Sequence, residues 1–296
     1  MKKRTITGIL IFLFMAPFII FGSYPMAIFV LLLCIGGMYE FLNIKKKANQ
    51  QPIPIYVYFI TIIFSLLMIF DIQYISDFAY DFKYATLENY GVNILWIALA
   101  IISLFTCSIF DKKYSIIDAI YNFSTMMFLT LGLKGMLYLR SFNSLNNIND
   151  GTLLIVYVLI TASITDIFAY FGGMTCYKLL GNDKVHKLNE RISPKKTIEG
   201  SLIGTLFGTV VGFLFAYFFL KGFNNTILSS WYVLLLMSLA LSIFGQIGDL
   251  ILSAIKRHFN VKDYSKLLPG HGGILDRIDS ILLNSIIASL FISLLA

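Results

Sequence analysis

Residues 199–220 read EGSLIGTLFGTVVGFLFAYFFL and carry a single charge, at the first position. About 20 largely apolar residues are enough for a helix to cross the hydrocarbon core of a bilayer. This stretch therefore predicts a transmembrane helix. The same template fits eight further segments, which gives nine predicted spans: 5–22, 25–43, 54–71, 91–109, 117–139, 152–172, 199–220, 230–252 and 274–295.

The composition agrees with a protein that lies mostly in the membrane. Of the 296 residues, 58% are apolar and 13% are charged, whereas soluble domains carry about 25% charged residues. The predicted fold is an all-α polytopic helix bundle, one integrated membrane domain. Residues 1–150 supply spans one to five, and residues 151–296 supply spans six to nine with the loops 173–198 and 253–273. The three single cysteines give no spacing for a zinc site or a disulfide framework.

The positions of Lys and Arg predict the orientation, because cytoplasmic loops carry an excess of both. With nine spans and a cytoplasmic N-terminus, 18 of the 23 basic residues fall on the cytoplasmic side and the C-terminus lies outside. We therefore expect a multi-pass plasma-membrane protein, and we interpret the net charge of +7 as a topology signal rather than a nucleic-acid surface. The loops 173–198 and 253–273 are either ordinary solvated loops or a funnel for an anionic substrate.

Five carboxylates occur at predicted membrane depth: Asp166, Glu199, Asp249, Asp276 and Asp279. A charge in the bilayer interior costs about 2.5–3.5 kcal/mol on insertion scales, so such groups usually face the bundle interior and mark function. An oxygen-rich cluster without cysteine favours a hard cation such as Mg²⁺. The alternative is that each acid pairs separately with a Lys or Arg.

Two loop segments next to these acids suit phosphate groups. Pro269, Gly270, Gly272 and Gly273 interrupt the chain just before the last span, where freed backbone amides can bind an anion. In residues 191–200, the pair Ser-Pro at 193–194 predicts a helix start with proline in its first turn. Lysines at 195 and 196 would then lie in that turn. The helix dipole disfavours cations there, so the presence of two lysines is explained if this turn binds an anion.

These residues resemble the phosphatidate cytidylyltransferase, or CDP-diacylglycerol synthase, family. Its motif S-x-x-K-R, then K-D, then P-G-H-G-G-x-x-D-R-x-D runs in order from Ser253 to Asp279. The segments 165–170, 193–200 and 248–250 also match, so the resemblance covers roughly 160–280, whereas residues 1–150 match only as a hydrophobic bundle. One departure is Lys195, where many relatives have glycine.

The resemblance implies that CTP and phosphatidate react to give CDP-diacylglycerol and pyrophosphate at the cytoplasmic face. It also implies a requirement for Mg²⁺, a second, monovalent cation such as K⁺, and a homodimer. The expected metal ligands are Asp249, Asp276 and Asp279. The expected catalytic residues also include Asp166, Lys256, Arg257 and His271. His271 could pack in the turn, contact a phosphate or transfer a proton, and the sequence leaves these three roles open. The expected substrate contacts are Ser193, Lys195, Lys196, Thr197, Glu199, Lys262, Asp263, Gly272, Gly273 and Arg277.

Other interpretations stay open from the sequence. Another CTP-dependent lipid kinase or lipid-phosphate transferase has similar needs, and an ion-coupled transporter also uses intramembrane acids. The transporter is disfavoured because the acids gather at one membrane face and no inverted repeat is visible. Glycines at 200, 204, 208 and 212 predict a close helix contact, either within the subunit or across a dimer.

Overall fold

The structure is a computed structural model that describes residues 13–70, 90–142, 150–181, 185–220, 230–267, 270 and 272–295. The described residues form nine helices and one two-stranded hairpin. These are α1 (13–21), α2 (Ser23–Lys47), α3 (Ile55–Ile69), α4 (Ile94–Phe110), α5 (Ile116–Ser141), α6 (Asp150–Leu180), β1 (Lys187–Asn189), β2 (Ser193–Thr197), α7 (Ile198–Phe219), α8 (Trp231–His258) and α9 (Leu275–Leu295).

The helices confirm a helical membrane protein. Helices α2 to α9 coincide with eight of the predicted spans, and the first span, 5–22, is helical over 13–21 with its earlier residues outside the described part of the chain. Among the described residues, six helices are long and apolar enough to cross a bilayer, namely α2 and α5 to α9, whereas α3 and α4 are apolar but shorter. The count of nine spans and the orientation of the termini stay predictions.

The chain divides into two compact units. Met1–Ser141 and His258–Ile278 belong to unit 1, and Phe142–Arg257 and Asp279–Ala296 belong to unit 2. In unit 1, Arg140 on α5 binds the carboxyl end of α1: its Nε donates to the Ile19 carbonyl at 2.7 Å and its Nη2 to the Ile20 carbonyl at 3.0 Å. A cation there satisfies carbonyls that the helix itself leaves without partners.

The hairpin corrects the expectation for residues 193–197. The prediction that a helix starts at Ser193–Pro194 is wrong, because these residues form strand β2, which pairs antiparallel with β1. Helix α7 begins only at Ile198, where the Thr197 side chain accepts from Gly200 N at 3.1 Å. Proline is compatible with the edge of a two-stranded sheet, since it lacks only the donor N–H. The lysines therefore lie on a strand, and the first turn of α7 carries an acid, Glu199, as the helix dipole favours.

In unit 2, α7 packs closely on α6 along its glycine face. Gly200, Gly204, Gly208 and Gly212 are all buried. A Cβ at Gly200 would lie 2.6 Å from the Ala169 carbonyl oxygen, and one at Gly204 would lie 2.6 Å from the Thr165 carbonyl oxygen. The glycines thus allow backbone-to-backbone contact within one chain, which is the first of the two alternatives left open by the sequence.

We expect Gly204→Ala to destabilise the protein. Alanine stabilises a helix by about 1 kcal/mol relative to glycine. Here, however, the added methyl group would overlap the Thr165 carbonyl oxygen and would lie 2.7 Å from the Ala169 Cβ. Overpacking of this kind costs about 1–3 kcal/mol. Thermal unfolding in detergent measures the difference. Gly91→Ala is the control, because a Cβ at Gly91 meets nothing within 4 Å. Equal melting temperatures for the two variants would contradict the close α6–α7 contact.

Candidate functional site

Polar side chains join α6, α7 and α8 inside unit 2. The hydroxyls of Thr165 and Ser242 lie 2.7 Å apart. Ser201 on α7 donates to Gln246 Oε1 at 2.6 Å, and Gln246 Nε2 donates to Thr205 Oγ1 at 2.9 Å. Because polar groups inside a membrane protein need partners from neighbouring helices, these bonds fix the three helices against each other. One turn beyond Gln246 on α8 lies Asp249.

A cavity of about 510 Å³ opens at this level, a size typical of sites for small molecules. It is built from one face of α6, the hairpin, the start of α7 and the later part of α8. The residues that line it are Asp166, Ala169, Tyr170, Gly173, Met174, Tyr177, Lys178, Leu188, Lys195, Lys196, Thr197, Ser201, Gln246 and Asp249.

Three of the five predicted carboxylates meet here. Asp166 and Asp249 line the cavity, and Asp279 on α9 interacts electrostatically with both. Ser253 donates to Asp249 Oδ1 at 3.2 Å, while a Ser280 hydroxyl hydrogen-bonds Asp166. Helices α6, α8 and α9 therefore place an acidic cluster, defined here as Asp166, Asp249 and Asp279, inside unit 2.

Two lysines balance part of this charge. Lys196 Nζ donates to Asp249 Oδ2 in an ion pair, and it also acts electrostatically on Asp166. Lys256, one helical turn beyond Ser253, interacts with Asp249 and Asp279. Three carboxylates against two ammonium groups leave a net negative charge when all are ionised, which favours a further cation. The neighbouring Arg257 contributes elsewhere, since its Nε donates to the Ile192 carbonyl at the hairpin turn at 3.2 Å.

The base of the hairpin is held by Glu199, which does not line the cavity. Its Oε1 accepts from His186 N at 3.0 Å and lies 2.8 Å from His186 Nδ1. The Ile198 amide returns a bond to the His186 carbonyl at 2.9 Å. Ser193 pairs with Asn189 across the hairpin. These contacts fix the strand that carries Lys196, so Glu199 and Ser193 position the hairpin.

Asp276 belongs to unit 1, where it closes a turn. Its Oδ2 accepts from Tyr264 N and from Gly273 N, each at 2.9 Å. Gly272 adopts a φ of +82°, a left-handed conformation that glycine adopts without strain and that other residues rarely do. The carboxylate thus ties residues 264 and 273 to the start of α9.

Glu40 on α2, also in unit 1, is a buried acid that sequence reasoning missed. It is only 3% exposed, and it accepts from Ser265 Oγ at 2.6 Å, Ile274 N at 2.8 Å and Leu275 N at 2.9 Å. It therefore caps the amino end of α9, where a negative charge is favoured. The signal was available, because Glu40 is an acid inside the predicted span 25–43.

The remaining predicted residues either do not line the cavity or fall outside the described residues. In unit 1, Lys262 and Arg277 are exposed, and the Asp263 carbonyl accepts from Lys47 Nζ at 2.5 Å. His271 falls outside the described residues. Across the part of the chain that the structure describes, no three His, Cys, Asp or Glu side chains form a group that could hold a metal ion.

Sequence reasoning also missed part of the cavity wall. Met174, Tyr177 and Lys178 follow Asp166 and Tyr170 along α6 at steps of three or four residues, so they continue the face that begins with the acid. A helical projection from Asp166 would have found them.

Comparisons with known proteins cover nearly the whole chain. Residues 2–295 match the model of the cytidylyltransferase family. A phosphatidate cytidylyltransferase of Staphylococcus haemolyticus is 33% identical over 281 residues, 95% of this chain and 94% of that protein. One of Bacillus subtilis is 32% identical over 287 residues, again 95% and 94% of the two chains. The similarity thus extends through residues 1–150, where the sequence motifs gave no specific match.

Proposed function

The chain belongs to the cytidylyltransferase family, and we propose that it is a membrane enzyme that converts CTP and phosphatidate into CDP-diacylglycerol and pyrophosphate. The observation that carries this proposal is the cavity in unit 2, where carboxylates and lysines from the motif-bearing segments come together. Both substrates are anionic, and one of them is a lipid, so a membrane-embedded site with lysines suits both.

The reaction is a nucleotidyl transfer. A phosphate oxygen of phosphatidate attacks the α-phosphorus of CTP, a new P–O–P bond forms, and the bond from the α-phosphorus to the bridging oxygen of the β-phosphate breaks as pyrophosphate leaves. The lipid phosphate is itself the nucleophile, so no covalent enzyme intermediate is required. Catalysis then depends on alignment and on neutralising charge on the phosphates.

We assign Lys196 to the triphosphate of CTP. Lys196 is paired with Asp249 in the structure, and it lies on a strand whose base is fixed by Glu199. An ammonium group held at the cavity wall neutralises charge that develops on the leaving pyrophosphate. Lys195 lines the same cavity.

The acidic cluster offers Mg²⁺ hard oxygen donors and a surplus of negative charge, and phosphate oxygens of the nucleotide would complete a ligand set that the described side chains do not form by themselves. We propose that Asp249 and Asp279 hold the metal and that Asp166 supports them. Mg²⁺ would supply charge neutralisation on the phosphates. The role of Asp276 as a ligand stays a prediction, because one of its oxygens already accepts two backbone N–H groups. A K⁺ site, a homodimer and a cytoplasm-facing site in the plasma membrane are likewise proposed from the family resemblance and the Lys and Arg distribution.

Purified protein tests the function directly. We expect label from [α-³²P]CTP to appear in a lipid product, and label from [γ-³²P]CTP to appear only in pyrophosphate, when phosphatidate and Mg²⁺ are present. Label from the γ position in the lipid would instead show a CTP-dependent lipid kinase. Absence of any labelled lipid from well-folded protein would contradict the proposed activity.

A further inference from the structure

A second cavity of about 410 Å³ adjoins the first. It is lined by Tyr177, Lys187, Pro194 and Lys195, and we call it the hairpin cavity. Tyr177 and Lys195 line both cavities, so the two share part of their wall. The two cavities differ in charge: Asp166 and Asp249 line the first, whereas the described residues that line the hairpin cavity include two lysines and no carboxylate.

Lys187 is held in place at this cavity. Its Nζ donates to the Pro194 carbonyl at 2.9 Å and to the Tyr177 hydroxyl, and it lies 4.9 Å from the centroid of the Tyr177 ring. An ammonium group has three N–H donors, and these bonds use two. The third is left for a ligand, and the side chain is already oriented, which lowers the entropic cost of binding.

Lys195 adds a second cation to the hairpin cavity. Among the described residues it has no hydrogen-bond or ion-pair partner, and it is exposed. Two ammonium groups beside a phenol hydroxyl, with no acid among them, favour a compact dianion with several oxygen acceptors. A phosphate monoester is such a group.

We propose that the hairpin cavity binds the phosphomonoester of phosphatidate through Lys187 and Lys195. The proposal rests on the proposed function and extends it by separating the two substrates. A nucleotide that brings a divalent cation suits the acidic cluster, whereas a phosphomonoester without a metal would be repelled by those carboxylates. Because Lys195 and Tyr177 line both cavities, the lipid phosphate would lie next to the nucleotide.

The apolar surface of α6 supports a lipid ligand. Leu179, two residues beyond Tyr177, is 79% exposed, and Phe171 is 53% exposed. Apolar side chains exposed on a membrane helix face lipid, so the helix that supplies Tyr177 also contacts surrounding lipid.

The test is the effect of Lys187→Met on the two Michaelis constants. We expect KM for phosphatidate to rise about tenfold, because loss of a hydrogen bond to a charged group weakens binding by about that factor. We expect KM for CTP to stay within about twofold of the wild-type value. Lys187→Arg should restore most of the loss because it keeps the cation. Lys112→Met, which removes an exposed lysine from the loop between α4 and α5, is the matched control and should change neither constant.

A binding measurement without CTP separates this proposal from the proposed function. We expect purified wild-type protein to bind dihexanoyl phosphatidate more tightly than dihexanoyl phosphatidylcholine, and Lys187→Met and Lys195→Met each to weaken phosphatidate binding about tenfold. If Lys187→Met does not fold, phosphatidate binding by Lys195→Met tests the proposal. Unchanged phosphatidate binding in both, or a rise in KM for CTP alone, would overturn the proposal. If the wild-type protein forms no CDP-lipid but its phosphatidate binding still depends on Lys187, the proposed reaction is contradicted and the proposed phosphatidate site is not.

Discussion

Asp249→Asn lowers kcat/KM for CDP-lipid formation by at least about 100-fold, since removing one preorganised electrostatic contact from a transition state costs about 10²–10³ in rate. The change keeps the size of the side chain but removes the charge that binds Lys196 and that we assign to the metal. It also leaves Lys196 without its ion-pair partner. The measurement is the steady-state rate of lipid labelling from [α-³²P]CTP at saturating Mg²⁺.

Glu190→Gln is the matched control for the loss of an acidic charge. Glu190 is exposed at the hairpin turn and does not line the cavity, so we expect activity within about twofold of wild type, as is usual for surface substitutions. Both variants should elute as folded protein in detergent. Activity of Asp249→Asn near that of wild type would remove Asp249 from the site.

Glu40→Ala destabilises the protein by about 3 kcal/mol or more, because it leaves two backbone N–H groups and one hydroxyl without their acceptor. Each unsatisfied buried donor costs about 1–3 kcal/mol, and the favourable charge at the amino end of α9 is lost as well. Relief of the burial of a carboxylate offsets part of this cost. Chemical or thermal unfolding in detergent measures the change in free energy.

Glu40→Gln provides the graded comparison. Its amide oxygen still accepts from one or two of the three donors, so we expect a loss roughly half as large. Ser265→Ala removes only one of the three bonds to Glu40 and should cost about 1 kcal/mol. Equal stabilities for Glu40→Ala and Ser265→Ala would show that the two backbone bonds to α9 contribute nothing.

The helices could be predicted because a helix that crosses a bilayer needs a long apolar segment, and each such segment is one continuous run of the sequence, such as 199–220. The acids Asp166 and Asp249 could be predicted for a related reason, since charges inside such runs are costly. Their convergence with Asp279 could not be predicted. It depends on how α6, α8 and α9 pack, and nothing in one helix specifies the neighbour of its polar face.

The hairpin and the cap of α9 show where local patterns mislead. Ser193–Pro194 is compatible with the start of a helix or with an edge strand, and only pairing with residues 187–189 decides between them. In the sequence, Lys187 is one of several basic residues of the loop 173–198. Glu40 lies inside the predicted span 25–43, and the sequence does not indicate its three partners, because they lie more than 200 residues further along the chain.

Protection of a cysteine in the cavity tests most directly where CTP binds. Met174 lines the cavity and Phe171 does not, so Met174→Cys and Phe171→Cys are compared after Cys34, Cys107 and Cys176 are replaced by Ser. We predict that CTP with Mg²⁺ slows alkylation of Met174→Cys by a water-soluble maleimide about tenfold or more and leaves Phe171→Cys unchanged, since a ligand enclosed in a cavity shields the side chains that line it from solvent. Equal alkylation rates of Met174→Cys with and without saturating CTP would contradict binding in this cavity.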